Sequence, residues 1–185
     1  MRIGLKDLYF APITNETEQS TTYGAPFKIG AAMNATITAT KADASVYADD
    51  ALFESISALS SFEVTITAAD FASAEVANKL LGRSDDYVGS VDTENDTCPN
   101  GALMFRSLRS NGTYDYVVLY KGKFGVNDAE YSTKGDSIEF KNVELTGTFG
   151  ARLDGKMRYV VNSAEDDAAT AIAAWFTSVQ EPVLK

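Results

Sequence analysis

Residues 101–125 read GALMFRSLRSNGTYDYVVLYKGKFG, and this stretch decides the fold. Two runs rich in aromatic and branched residues flank Asn111-Gly112, the dipeptide best suited to a tight hairpin, because a type I′ turn needs positive φ at both central residues. With those two residues as the loop, Ser110 faces Thr113, Phe105 faces Val118 and Met104 faces Leu119. One face then carries Leu103, Phe105, Tyr114, Tyr116, Val118 and Tyr120. The other has Met104 and Leu119 in its middle, with Arg106, Asp115 and Lys121 toward its ends. Apolar residues on both sides place the hairpin inside a sandwich or barrel, or against another subunit.

The rest of the chain supplies partners for such a hairpin. Leu8 to Phe10 forms a short strand that stops at Pro12, and Asn15 to Thr22 reads as an exposed loop. Tyr23 to Pro26 turns the chain into Phe27. From Met33 to Thr40 the alternation is clean, with Met33, Ala35, Ile37 and Ala39 on a packed side and Asn34, Thr36, Thr38 and Thr40 on a wet one. Residues 41–61 show no convincing period and read as a long extended loop or arm, whose large apolar residues suit packing on a neighbour. Phe62 to Thr67 is a strand. Asp70 opens a helix through Leu81, closed by Gly82. Arg83 to Asn100 is acidic and turn-rich, with an edge strand near Val88 to Val91. Lys134-Gly135-Asp136 turns into a strand from Ser137 to Phe149, whose apolar set changes sides at a bulge. Met157 to Val161 is a further strand. Ser163 with Asp166 starts a helix to about Ser178, with Ala169, Ile172, Phe176 and Val179 as its buried stripe. The fold class is mainly β with some α: a β-sandwich or barrel with two flanking helices, forming one domain over residues 1–185.

Composition narrows function. The chain has 185 residues, 45% of them hydrophobic, with ten Phe and nine Tyr, enough for a full core. Sixteen basic against 26 acidic residues leave a net charge of −10, which disfavours gripping nucleic-acid backbones or anionic membranes. No apolar run approaches membrane-spanning length, and the charged start MRIGLKDLYF does not read as a secretory signal. The absence of histidine removes the usual general base, the Ser-His-Asp and Cys-His systems and most zinc sites. Asp92, Glu94 and Asp96 have the spacing of a calcium loop but lack its glycine and its final glutamate, since Thr97 and Leu103 stand there. Asp49-Asp50 and Asp85-Asp86 are adjacent pairs whose side chains diverge on an extended chain, so neither makes a glycosidase site alone. The expectation is no catalytic, cofactor or metal site. Tyr114, Tyr116 and Tyr120 leave open a second reading, a non-catalytic carbohydrate- or surface-binding β-sandwich module.

Five blocks go further: IGLKDLYFAPIT near the start, VYADD at 46–50, ALMFRSLRSNGTYDYVVLYKGKFGV at 102–126, TKGDSIEF at 133–140 and AAWFTSVQEP at 173–182. In this order they resemble the major tail protein (tail tube) family of long-tailed bacteriophages, the phi13-type group, over nearly the whole chain. The resemblance implies a virion tail protein made in the host cytoplasm without a signal peptide. Its β-sandwich would form homohexameric rings that stack into a tube. Its partners would be further copies of itself and the tape-measure, tail-terminator and distal-tail proteins. DNA would pass through without specific binding, and no membrane or cofactor would be involved. On this footing 41–61 is an inter-subunit arm, with Tyr47, Asp49, Asp50, Leu52, Phe53 and Ile56 at the interface. Asn34, Thr36, Thr38 and Thr40 would face the lumen.

Overall fold

The computed structural model describes residues 1–48, 51–125, 133 and 142–183, with the backbone alone for residues 46–48 and 51–54. The fold is mainly β. Its strands are β1 (Arg2–Glu16), β2 (Thr21–Tyr23), β3 (Phe27–Ala48), β4 (Ala51–Phe71), β5 (Gly101–Arg109), β6 (Tyr114–Phe124), β7 (Val143–Gly150) and β8 (Arg158–Asn162). The helices among the described residues are α1 (Ala74–Leu81) and α2 (Ala168–Ile172). All pairings are antiparallel, and they run β1-β3-β4-β7-β6-β5, with a β1–β5 pairing that closes the ring into a barrel. β2 extends β1, and β8 lies beside the first half of β6 as β7 lies beside its second.

The hairpin of β5 and β6 forms where the sequence puts it, one residue out of the expected register. Met104 pairs with Val118 and Phe105 with Val117. The loop has three residues: Arg109 N–H donates to the Thr113 carbonyl, Gly112 N–H donates back to Arg109, and Gly112 takes φ 83. That is a type I turn with a left-handed glycine, the other short hairpin solution for this sequence. A one-residue slip changes which residues of the two strands share a face. Leu103, Phe105, Val117 and Leu119 therefore point together into the barrel. Met104, Val118 and Tyr120 point outward with Tyr116 beside them.

Both faces are buried, as expected, but within one chain. The barrel interior is filled by Leu8, Phe10, Ile29, Phe62, Val64, Ile66, Phe124, Leu145 and Phe149, and α1 plugs one end with Leu80 and Leu81. The outer face of the hairpin is roofed by α2 and the segment after it, where Ala168, Ala171 and Trp175 are buried. Trp175 meets Tyr116 edge-on at 5.6 Å between centroids and Tyr159 at 5.7 Å. The apolar outer face thus needs no second subunit to cover it.

Several boundaries depart from the sequence reading. β1 runs straight through Pro12, because its carbonyl still accepts from Gly24 N–H and the next N–H, at Ile13, donates to Asn100. Pairing between β3 and β4 persists to Phe71, so Asp70 stays in the strand. Ser73 caps α1 instead, its hydroxyl accepting from Val76 N–H at 3.2 Å. Gly82 closes that helix at φ 71, as expected. Residues around Val88 form bends rather than an edge strand. The second helix is short; Ala168, Ala171 and Trp175 are its buried side, and of the expected stripe Ile172, Phe176 and Val179 pack against that core half-buried. Trp175, the sole tryptophan, takes the inward position, and Ala169 is exposed. Lys134-Gly135-Asp136 and the change of face at Ile138 and Phe140 lie outside the described residues.

Ionic clasps hold the ends down. Asp115, fully buried, accepts from Arg109 Nε at 2.8 Å, Asn162 Nδ2 at 2.7 Å and Arg2 Nε at 3.1 Å. Burial alone would raise its pKa. The hydrogen bonds from Arg109, Asn162 and Arg2 outweigh that and hold it below the usual aspartate value. Arg152, 4% exposed, binds Asp154, Glu181 and the Tyr23 hydroxyl and lies 4.4 Å over the Tyr120 ring. This clasp anchors the chain beyond Trp175.

Candidate functional site: a projecting hairpin and a threonine sheet face

Residues 41–48 and 51–61 are the far parts of β3 and β4, paired antiparallel, which corrects the expectation of a long extended loop without regular pairing. β3 and β4 stay paired from Lys41↔Leu59 to Ala48↔Ala51, whereas β7 pairs with β4 only from Phe62 onward. The pair therefore leaves the barrel unsupported for roughly 25–30 Å, at about 3.3 Å per residue. A two-stranded ribbon is marginal alone in water, and this one exposes Ile56 to 58% and Leu59 to 46%. Ala42, Ala44, Ile56 and Ala58 share one face through the Ala42↔Ala58 and Ala44↔Ile56 pairs. On the other, the Ser45 and Ser55 hydroxyls lie 3.3 Å apart.

Of the interface residues expected here, Tyr47 lies on β3 and Leu52 and Phe53 on β4, while Ile56 is exposed on the apolar face. Asp49 and Asp50 lie outside the described residues. The missed signal was present in the alternation of Ala42, Ala44, Val46 and Ala48 with Lys41, Asp43, Ser45 and Tyr47. Alanine against serine gives too little contrast to stand out as a strand.

Asn34, Thr36, Thr38 and Thr40 are all exposed on one side of β3, while Ala35 and Ile37 turn inward. Pairing builds a wider surface around them. Thr36 sits beside Thr65 and then Thr146, Thr38 beside Glu63 and then Thr148, and Asn34 beside Thr67 and then Glu144. Sequence reasoning did not join these strands, although EVTIT in β4 and ELTGT in β7 repeat the alternation. The result is a short-side-chain hydroxyl surface with Glu63 and Glu144 within it and Lys123 at its edge, opposite Thr148. Met33 and Ala39, expected on the packed side, are exposed, Met33 at the register shift between Ala32 and Asn34 and Ala39 where β1 no longer pairs with β3.

Other candidates resolve into structural roles. Tyr120 is buried and donates its hydroxyl to the Gln180 carbonyl at 2.9 Å, and burial raises its pKa strongly. Tyr116 packs on Trp175 and Phe176. These rings line a core instead of an exposed row. In the acidic loop Asp92 pairs with Arg83, and Asp96 accepts from Thr93 N–H at 2.9 Å and from its hydroxyl at 2.5 Å. Among the described residues no three Cys, Asp or Glu side chains converge as a metal site, and no helix is long and apolar enough to cross a membrane. The chain matches no known protein-family model and no curated protein.

Proposed function

We propose that this chain is a structural virion protein: a tail-tube subunit whose barrel is the β-sandwich of that family and whose homohexameric rings stack into a tube for DNA. The observation that carries the reading is the hairpin of β3 and β4, which extends beyond its own sheet with apolar side chains in solvent. An arm of that length is stable and useful when a neighbouring subunit receives it. Tyr47, Asp49, Asp50, Leu52, Phe53 and Ile56 are assigned to that contact.

The threonine surface supports the same reading. Hydroxyls and carboxylates without a cationic field offer phosphates no strong anchor, so a duplex moving past them meets weak repulsion screened over about 8 Å. Asn34, Thr36, Thr38 and Thr40 are therefore assigned to the lumen, where DNA passes without specific binding. The partners are further copies of the chain and the tape-measure, terminator and distal proteins of the tail. The sugar-binding alternative has less support, because Tyr116 and Tyr120 lie beneath Trp175, Phe176 and Gln180 of the C-terminal segment.

Mass measurement over a concentration series, with negative-stain imaging, tests the proposal. Rings or tubes are expected. A monomer at the highest concentration, with no tubes on templating, would overturn it.

A further inference from the structure

The barrel is plugged by α1 at one end and open at the other. At Asp7, a non-glycine residue at φ 57, β1 turns away from β3; the Asp7 carboxylate reaches Arg106 at 2.5 Å as an ion pair without hydrogen-bond geometry at Nε. β1 and β3 pair only from Leu8↔Gly30 to Phe10↔Phe27. Beyond that point residues 2–7 of β1 and 31–40 of β3 have no pairing toward each other, and a cleft of about 560 Å³ opens between them. Phe105 and Val117 form its floor. Ile3, Met33 and Val160 stand on its rim, 61%, 55% and 38% exposed. Arg2 and Arg158 are its charged lining residues. Arg158 lies 4.8 Å over the Phe62 ring, and the described residues place no carboxylate against it.

An occupant must bring backbone groups for two unpaired strand edges, apolar side chains for the floor, and negative charge for Arg158, since Arg2 already pairs with Asp115. The same chain carries all three on its arm: extended strands, the face of Ala42, Ala44, Ile56 and Ala58, and, in its sequence, the acidic pair Asp49-Asp50 between the two strands. The arm continues from the β3 residues that line the cleft, and none of its own described residues lines it, so it does not fill its own. We propose that the arm of a second copy of this chain seats in the cleft between β1 and β3, its Asp49-Asp50 pair against Arg158. The contact joins two different surfaces of identical subunits, the head-to-tail arrangement that propagates into rings or filaments. It rests on the proposed assembly and names the surface that receives the arm.

The experiment uses full-length protein with Cys98→Ser, in two differently tagged pools. One carries Met33→Cys on the cleft rim and the other Ala51→Cys on the arm. After mixing and mild oxidation, a disulfide between the two tags is expected. A pool with Val88→Cys, on the acidic loop after α1, should not couple. Arg158→Glu should leave the thermal midpoint of the monomer within a few degrees. It should raise the concentration for half-assembly about tenfold, which corresponds to about 1.4 kcal/mol. Adding Asp50→Lys to the Arg158→Glu protein should restore assembly. Rings or tubes that form without the Met33–Ala51 crosslink and ignore Arg158→Glu would overturn the cleft assignment and leave the assembly standing. No assembly of the parent protein under any condition would overturn both.

Discussion

Trp175→Ala tests the assignment of the hairpin's outer face to the chain's own C-terminal segment. Trp175 is 1% exposed and packs with Met104, Val118, Tyr120 and Val161 in the outer core. Truncating a buried tryptophan to alanine costs about 3–5 kcal/mol, the loss of transfer energy adding to a cavity. The segment lies outside the barrel and can settle inward, so the lower end, about 3 kcal/mol, is expected. In a domain of this size that lowers the thermal midpoint by about 6–12 °C. Trp175→Phe separates packing from polarity. The indole Nε1 is buried with no hydrogen-bond partner, so phenylalanine removes an unsatisfied donor while losing some area. A net change within about 1 kcal/mol is expected, since an unmet buried donor itself costs about 1–3 kcal/mol. Urea unfolding followed by circular dichroism gives both values. A change below about 1 kcal/mol for Trp175→Ala would refute the argument, because the face would then be covered by something else.

Acid should destabilise the fold. Burial would raise the Asp115 pKa, but Arg109, Asn162 and Arg2 hold it down, and hydrogen bonds from Arg152 lower Asp154 and Glu181. A carboxylate depressed in the folded state contributes stability above its unfolded pKa, near 4, and loses it as pH falls through the folded value. Thermal midpoints should therefore hold from pH 7 to about 5 and fall progressively below about 4.5, and a flat profile to pH 3 would contradict the clasps. Gly112→Ala should cost about 1 kcal/mol through its positive φ alone, since nothing lies within 4 Å of the added carbon; a neutral result in urea unfolding would show that the three-residue loop is wrong. The pair Ile56→Ser and Leu59→Ser should leave the monomer's midpoint within about 2 °C, because both side chains are already half in water, while sedimentation shows weakened assembly. Unfolding of that double variant would place the arm in the monomer's core.

Local chemistry determined much of this protein from sequence alone. The hairpin at Asn111-Gly112, the two-sided apolar character of its strands, the glycine stop at 82 and the wet face of Asn34 to Thr40 follow from turn geometry and period-two alternation, which any chain of these residues carries. The one-residue register was beyond reach, because Asn-Gly suits a two-residue loop and a three-residue loop with left-handed glycine alike, and burial of Leu103 with Leu119 selects between them. Distant pairing was also invisible. Nothing in EVTIT or ELTGT says that these strands lie beside Thr36, and nothing near Asp70 says that pairing with β3 will hold it in a strand until Ser73 caps the helix. The arm shows the limit most clearly. Alanine and serine carry too little difference in hydrophobicity to mark a strand, so residues 41–48 and 51–61 become strands only through the ladder that β3 and β4 share.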